Sequence, residues 1–179
     1  MYCKIKSAVV EDGADNQMPP VYRELLEEYY FALRKHFGDR LKSVCVFGSV
    51  ARGNPSPESD IDVLVVIEGL PDTLDERMRL VAPIHDQIRN SPARRKVREA
   101  GRNPLISPLY FTPEEIKRHP PIMLELEEEN ILFDEGVLRQ EIRALKRRMQ
   151  ELGSRKVYTS KGYYWILKPD LKPGEEVEL

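Results

Sequence analysis

Two nearly uninterrupted apolar runs, Leu41 to Phe47 and Ile61 to Ile67, constrain this 179-residue chain more than any other feature. A strand with one wet face alternates polar and apolar residues, whereas a strand covered on both faces has no need to. The two runs therefore predict central strands of a sheet with helices on either side. Between them, Val46 to Val66 reads VFGSVARGNPSPESDIDVLVV, so a Gly48-Ser49 turn follows the first run and Asp60-Ile61-Asp62 opens the second. Side chains alternate faces along a strand, which sends Asp60 and Asp62 to the same side. Paired carboxylates are hard oxygen ligands that suit Mg²⁺ or Mn²⁺ and leave positions open for phosphate oxygens.

The flanking sequence supplies helices. From Val21 to Phe37 apolar residues recur at Val21, Leu25, Leu26, Tyr29, Leu33 and Phe37, and Gly38 offers a stop. A second helical pattern runs from Asp72 to Asn90, with Leu74, Met78, Val81 and Ile84 or Ile88 on its inner side and Ser91-Pro92 closing it. His85 in that pattern reads as a surface or packing residue. Leu105 to Thr112 is β-branched and aromatic enough for a third strand, and Pro108 places it at a sheet edge or a bulge. Thr112-Pro113-Glu114-Glu115 reads as an N-cap, a first-turn proline and acids matched to the helix dipole. Pro121 to Glu129 suggests a further helix and Ile131 to Phe133 a brief strand. From Gly136, the spacing of Leu138, Ile142, Leu145, Met149 and Leu152 predicts a helix ending at Gly153. The tail pairs Val157 and Tyr158 with Tyr163, Tyr164, Trp165 and Ile166 around Ser160-Lys161-Gly162, as in a hairpin. Val9 to Pro20 reads as a loop.

Charged residues make up 32% of the chain and interrupt every apolar stretch before it reaches membrane-spanning length. The N-terminus lacks the apolar core of a secretory signal, so a cytoplasmic protein without membrane contact is expected. Cys3 and Cys45 are too few for a disulfide framework. A formal charge of −2 gives no overall attraction to nucleic acid, yet Arg89 to Arg102 carries six basic residues against Glu99 alone. Together with Arg143, Lys146, Arg147 and Arg148, that segment can track a polynucleotide while Tyr163, Tyr164 and Trp165 stack bases. The alternative leaves the cations solvated or paired along helices, with the aromatics filling the hairpin's packing face.

Ten residues, Val50 to Ser59, separate Ser49 from Asp60. This run resembles the GSx10DxD signature of the DNA polymerase β-like nucleotidyltransferase superfamily, especially its minimal nucleotidyltransferases. The resemblance implies an α/β (α+β) fold, a mixed sheet flanked by helices, with a catalytic domain over residues 1–135 and a C-terminal helix and hairpin appendage over 136–179. It implies transfer of a nucleoside monophosphate from a nucleoside triphosphate to a hydroxyl acceptor with Mg²⁺ or Mn²⁺. Asp60 and Asp62 would be the catalytic metal ligands, and Gly48, Ser49, Arg52 and Ser59 would contact the nucleotide. Arg52 has a second reading, an ion pair with a loop acid such as Glu58. The family usually adds a third carboxylate on a later strand, and the corresponding position here is Ser107, whose neutral hydroxyl is a poor ligand for a hard cation. Glu125 or Glu127 folding back would compensate. Without that, the expectation is a catalytically weakened module that binds nucleotide or a partner. Minimal members of the family modify proteins or small molecules, and some pair with a separate helical protein.

Overall fold

The computed structural model describes residues 18–126, 130–160, 162–172 and 174–177. In it, α1 (Arg23–Phe37) leads into β1 (Leu41–Phe47), and a single turn, α2 (Gly48–Ala51), begins the connection to β2 (Ile61–Ile67). Then α3 (Leu74–Arg89) and α4 (Pro92–Glu99) cross to β3 (Ile106–Phe111). After α5 (Pro113–Ile116), a 3₁₀ turn at Pro121–Glu125 and β4 (Ile131–Asp134) precede α6 (Val137–Glu151), and β5 (Arg155–Thr159) with β6 (Gly162–Ile166) forms a hairpin. Cys3, most of the loop read from Val9 to Pro20, Glu127, Lys161 and Pro173 lie outside the described residues.

The expected mixed sheet is present, in the order β3-β2-β1-β4, with β2 and β3 parallel and the other neighbours antiparallel. Its central strands alternate between two separate cores. Val44, Val46, Ile61, Val63, Val65 and Ile67 bury on one face with residues of α1, α3 and α4. Cys45, Phe47, Leu64 and Val66 bury on the other with Ile116, Met123, Leu126 and the α6 stripe Leu138, Ile142, Leu145 and Met149. Coverage on both faces is why neither strand alternates in sequence. Helix α6 thus shares a core with the sheet, and Asp134 fixes its start by accepting from the backbone N–H groups of Leu138 and Arg139, both at 3.0 Å. Pro108 sits in an edge strand, paired with Val63 on one side only.

Three readings of the sequence change. Leu74 and Met78 do not belong to the inner face of α3: they are 73% and 45% exposed, while Arg77, Val81, Ile84 and Ile88 are buried. Arg77 takes an inner position because its guanidinium is satisfied there, donating to the carboxylate of Glu115 at 2.8 and 3.0 Å and to the carbonyl of Tyr110 at 3.1 Å. Ser91-Pro92 ends one helix and also starts another, since Ser91 Oγ accepts from Arg94 N at 3.1 Å with Pro92 in the first turn of α4. Of the helix expected from Pro121 to Glu129, the described part is a 3₁₀ turn over Pro121–Glu125 followed by Leu126, which is extended and 2% exposed in the second core; residues 127–129 lie outside the described residues. His85 packs as expected, its Nε2 2.9 Å from the Tyr110 hydroxyl, which lies 2.8 Å from that of Tyr29.

Candidate active site

The site forms where β1 ends and β2 begins. Phe47 pairs with Asp62 across the antiparallel ladder, so the turn at Gly48 comes directly against the first residues of β2. Ile61 and Val63 point into the first core, which leaves Asp62 on the opposite face with Leu64 and Val66. A Cβ placed on Gly48 would lie 2.2 Å from Asp62 Oδ2, and Gly48 holds φ +70°. Both facts call for glycine, the first through space and the second through backbone conformation. The sequence could suggest a close approach at this turn, but only the strand register shows that the approaching group is Asp62.

Asp60 and Asp62 interact electrostatically. Burial raises the Asp62 carboxyl above its ordinary range, the like charge of Asp60 adds to this, and the Arg52 guanidinium partly opposes it. Two hard oxygen donors, one of them strained by its neighbour, form a donor set that suits a divalent cation with open coordination positions. Among the described residues no group of three or more His, Cys, Asp or Glu side chains gathers to hold a metal ion. Ser107 is the in-register neighbour of Asp62 on β3, the place where a third acid would stand.

The loop between the turn and the acids is folded on itself. Arg52, Gly53 and Asn54 donate their backbone N–H groups to the carbonyls of Gly48, Val50 and Ser49 at 3.2, 3.2 and 3.1 Å. Ser59 Oγ accepts from Ser56 N at 2.9 Å and lies 3.1 Å from Ser56 Oγ, so its hydroxyl shapes the loop. Residues 102 and 103 clamp this loop from outside. Arg102 donates to the Pro55 carbonyl at 2.9 Å, Asn103 Nδ2 donates to the Glu58 carbonyl at 3.0 Å, and Asn103 N donates to the Pro57 carbonyl at 2.8 Å. Sequence reasoning placed Arg102 in a basic surface segment and missed this role. Other cations of that segment are also engaged: Lys96 with Glu24 at 2.7 Å, Arg89 with Asp86 at 3.6 Å, and Arg94 with the Arg89 carbonyl at 3.0 Å.

Arg52 pairs with an acid other than Glu58. Its Nη1 lies 3.8 Å from Glu125 Oε2, and the same carboxylate oxygen accepts a hydrogen bond from the Tyr163 hydroxyl. Glu125 therefore does fold back, and it faces Arg52. The site combines a tight glycine turn, a half-exposed arginine and two neighbouring acids, of which Asp62 is raised by burial and by the charge of Asp60, an arrangement that can receive a metal-bound polyphosphate.

Comparison with known proteins points to nucleotidyl transfer in general. The sequence profile of the family described as the nucleotidyltransferase domain matches residues 26–151. Three proteins of Methanocaldococcus jannaschii are similar over part of this chain. "Putative protein adenylyltransferase MJ1305" is 37% identical over 60 residues, 34% of this chain and 41% of that protein. "Putative protein adenylyltransferase MJ0141" is 36% identical over 58 residues, 32% of this chain and 58% of that protein. "Putative protein adenylyltransferase MJ0604" is 44% identical over 41 residues, 23% of this chain and 41% of that protein. The matched segments span roughly half of each of these relatives.

Proposed function

Because this chain belongs to the nucleotidyltransferase domain family, whose reaction is nucleotidyl transfer, we propose that it moves AMP from ATP to a side-chain hydroxyl of a protein. The protein acceptor and the adenine base are supported by the names of the relatives, and the site supports the phosphoryl chemistry. Asp60 and Asp62 would hold Mg²⁺ or Mn²⁺. Bound there, the cation would neutralise charge on the α-phosphate and pyrophosphate oxygens as the bond to the leaving group breaks.

The chain's own residues do the rest. Gly48, lacking a Cβ, lets the backbone of the turn approach the triphosphate, and Ser49 adds a hydroxyl donor. Arg52 offers a charged fork to the phosphates and is 52% exposed, which leaves it accessible to a ligand. The acceptor hydroxyl has no carboxylate at Ser107 to receive its proton, so slow transfer is expected, faster at alkaline pH where more acceptor is ionised. The observation that carries this reading is the contact geometry of Gly48 against Asp62. Incubation with labelled ATP, Mn²⁺ and a cell extract should give protein-bound label that alkaline phosphatase does not remove. Label incorporated equally by a variant carrying both Asp60→Asn and Asp62→Asn would contradict it.

Ser107 beside Asp62 favours a second reading, a module that binds metal and ATP and releases it unchanged. Ser107→Asp separates the two. A rise in transfer of about a hundredfold or more, the usual size of a general-base contribution, would place the loss of activity at that position. Transfer by the unsubstituted protein that Ser107→Asp leaves unchanged would refute this second reading.

A further inference from the structure

The β5–β6 hairpin lies beyond residue 151, where the family match ends, yet it touches the site. Lys156, Tyr158, Tyr163 and Trp165 share one face of it, since Lys156 pairs with Trp165 and Tyr158 with Tyr163 across the ladder. Tyr163 and Trp165 on that face are turned toward the domain, whereas Tyr158 is exposed. Trp165 packs on the second core, and the Tyr163 hydroxyl reaches Glu125. The Lys156 ammonium sits 3.5 Å from the centroid of the Tyr163 ring and 5.5 Å from that of Trp165, and the Tyr158 ring lies 5.9 Å from Tyr163. Tyr163 is thus fixed at its ring and at its hydroxyl. The Glu125 oxygen it donates to is also the one facing Arg52.

We infer that the hairpin is a working part of the nucleotide site, with Tyr163, acting through Glu125, as the positioning residue that holds the Arg52 guanidinium and the turn behind it ready for a triphosphate. This inference rests on the nucleotidyltransferase reading of Gly48, Ser49 and Arg52. The physical basis is that Arg52 is half-exposed and on its own would sample many rotamers, each of which a phosphate must first exclude. A carboxylate 3.8 Å away restricts it without a close bidentate lock, so the phosphate can still take over the guanidinium. Glu125 serves only if it is itself held, and the Tyr163 hydroxyl does that. Burial together with the Glu125 charge pushes Tyr163 up to about 12, so the donor proton is retained throughout the physiological range.

The test uses the full chain and two readouts. First, amide hydrogen exchange without nucleotide should rise several-fold at Arg52, Gly53 and Asn54 in both Tyr163→Phe and Glu125→Gln, because their hydrogen bonds to residues 48–50 open when the tether is lost. Tyr164→Phe, on the opposite face of the hairpin, should leave exchange there unchanged. Second, Tyr163→Phe should weaken Mg²⁺–ATP binding about 3- to 10-fold, as expected for a lost hydrogen bond to a charged group in a partly wet setting. It should have no further effect in an Arg52→Ala background. Unchanged exchange at residues 52–54 in Tyr163→Phe, or a full additional loss of affinity in the Arg52→Ala background, would overturn the inference alone. Failure of the unsubstituted protein to bind Mg²⁺–ATP would overturn the reading on which it rests.

Discussion

Substituting Gly48 by alanine isolates the contact on which the site is built. The new Cβ would lie 2.2 Å from Asp62 Oδ2 and 3.2 Å from its Cγ, so the carboxyl group must swing away while its Cβ, at 3.4 Å, can stay. Holding an L-residue at φ +70° costs about 1–2 kcal/mol, and forcing the Asp62 side chain off its rotamer adds about 0.5–1.5 kcal/mol. Alanine also narrows the unfolded ensemble, which returns about 0.4–1 kcal/mol. The net loss is about 2 kcal/mol, or about 4–8 °C in melting temperature for a chain of this size. Gly136→Ala is the control, since Gly136 is in the left-handed region at φ +94°, with nothing within 4 Å of the added carbon. It should cost about 1 kcal/mol and leave nucleotide binding intact. The decisive variant adds Asp62→Ala, which removes the clashing oxygen. Thermal or urea unfolding of the four proteins of the cycle should show a favourable coupling of about 1 kcal/mol, beyond the usual additivity scatter of about 0.3–0.5 kcal/mol. Additive losses would mean that the turn and the acid do not meet.

Asp62→Asn should stabilise the protein at neutral pH in the absence of divalent cations. The folded state raises the Asp62 carboxyl, so ionised Asp62 lowers stability as pH climbs from the ordinary carboxylate range through the raised value. The variant should melt higher than the unsubstituted protein at pH 7 and equally below about pH 3, where Asp62 is protonated in both states; a lower melting point at pH 7 would contradict the stated environment. Glu115 behaves oppositely. Arg77 holds its carboxyl below the ordinary range, so its contribution is present above the unfolded value and is lost as pH falls through the folded one. Glu115→Gln should flatten the acid limb of the stability profile measured by urea unfolding, and an unchanged limb would refute the assignment. Arg77→Ala should cost about 2–3 kcal/mol at pH 7, less than a fully buried pair because Glu115 keeps a third of its side chain in water; a loss under about 0.5 kcal/mol, typical of surface pairs, would count against it.

The parts of the fold that could be read from sequence are those set by local burial. β1 and β2 carry apolar residues on both faces, so they stand out without any knowledge of partners. Gly38 and Gly136 bound helices at positive φ, and Thr112-Pro113 starts α5 with a full capping box. Where two distant segments share one interaction, the sequence was silent or misleading. Arg77 gave no sign of being an inner residue, because Glu115, 38 positions later, is what allows it inside. Leu74 looked buried because helical spacing carries no information about where the sheet stops beneath the first turn of α3. α4 was hidden by its composition, since only Ala93 and Val97 of its residues are buried, and its start at Ser91-Pro92 also reads as a stop. In the site, the position of Ser107 beside Asp62 follows from strand register. The Arg52–Glu125–Tyr163 connection joins a loop, a 3₁₀ turn and a hairpin, and no local pattern encodes it.

The central claim is that Asp60 and Asp62 together bind the cation that brings the nucleotide. Electron paramagnetic resonance titration of Mn²⁺, with and without ATP, measures this directly on the unsubstituted protein and on Asp60→Asn and Asp62→Asn. The account predicts saturable Mn²⁺ binding that tightens with ATP and weakens at least about tenfold in either variant, the usual size of a lost charged ligand contact. Equal Mn²⁺ and ATP affinity in all three proteins would contradict it.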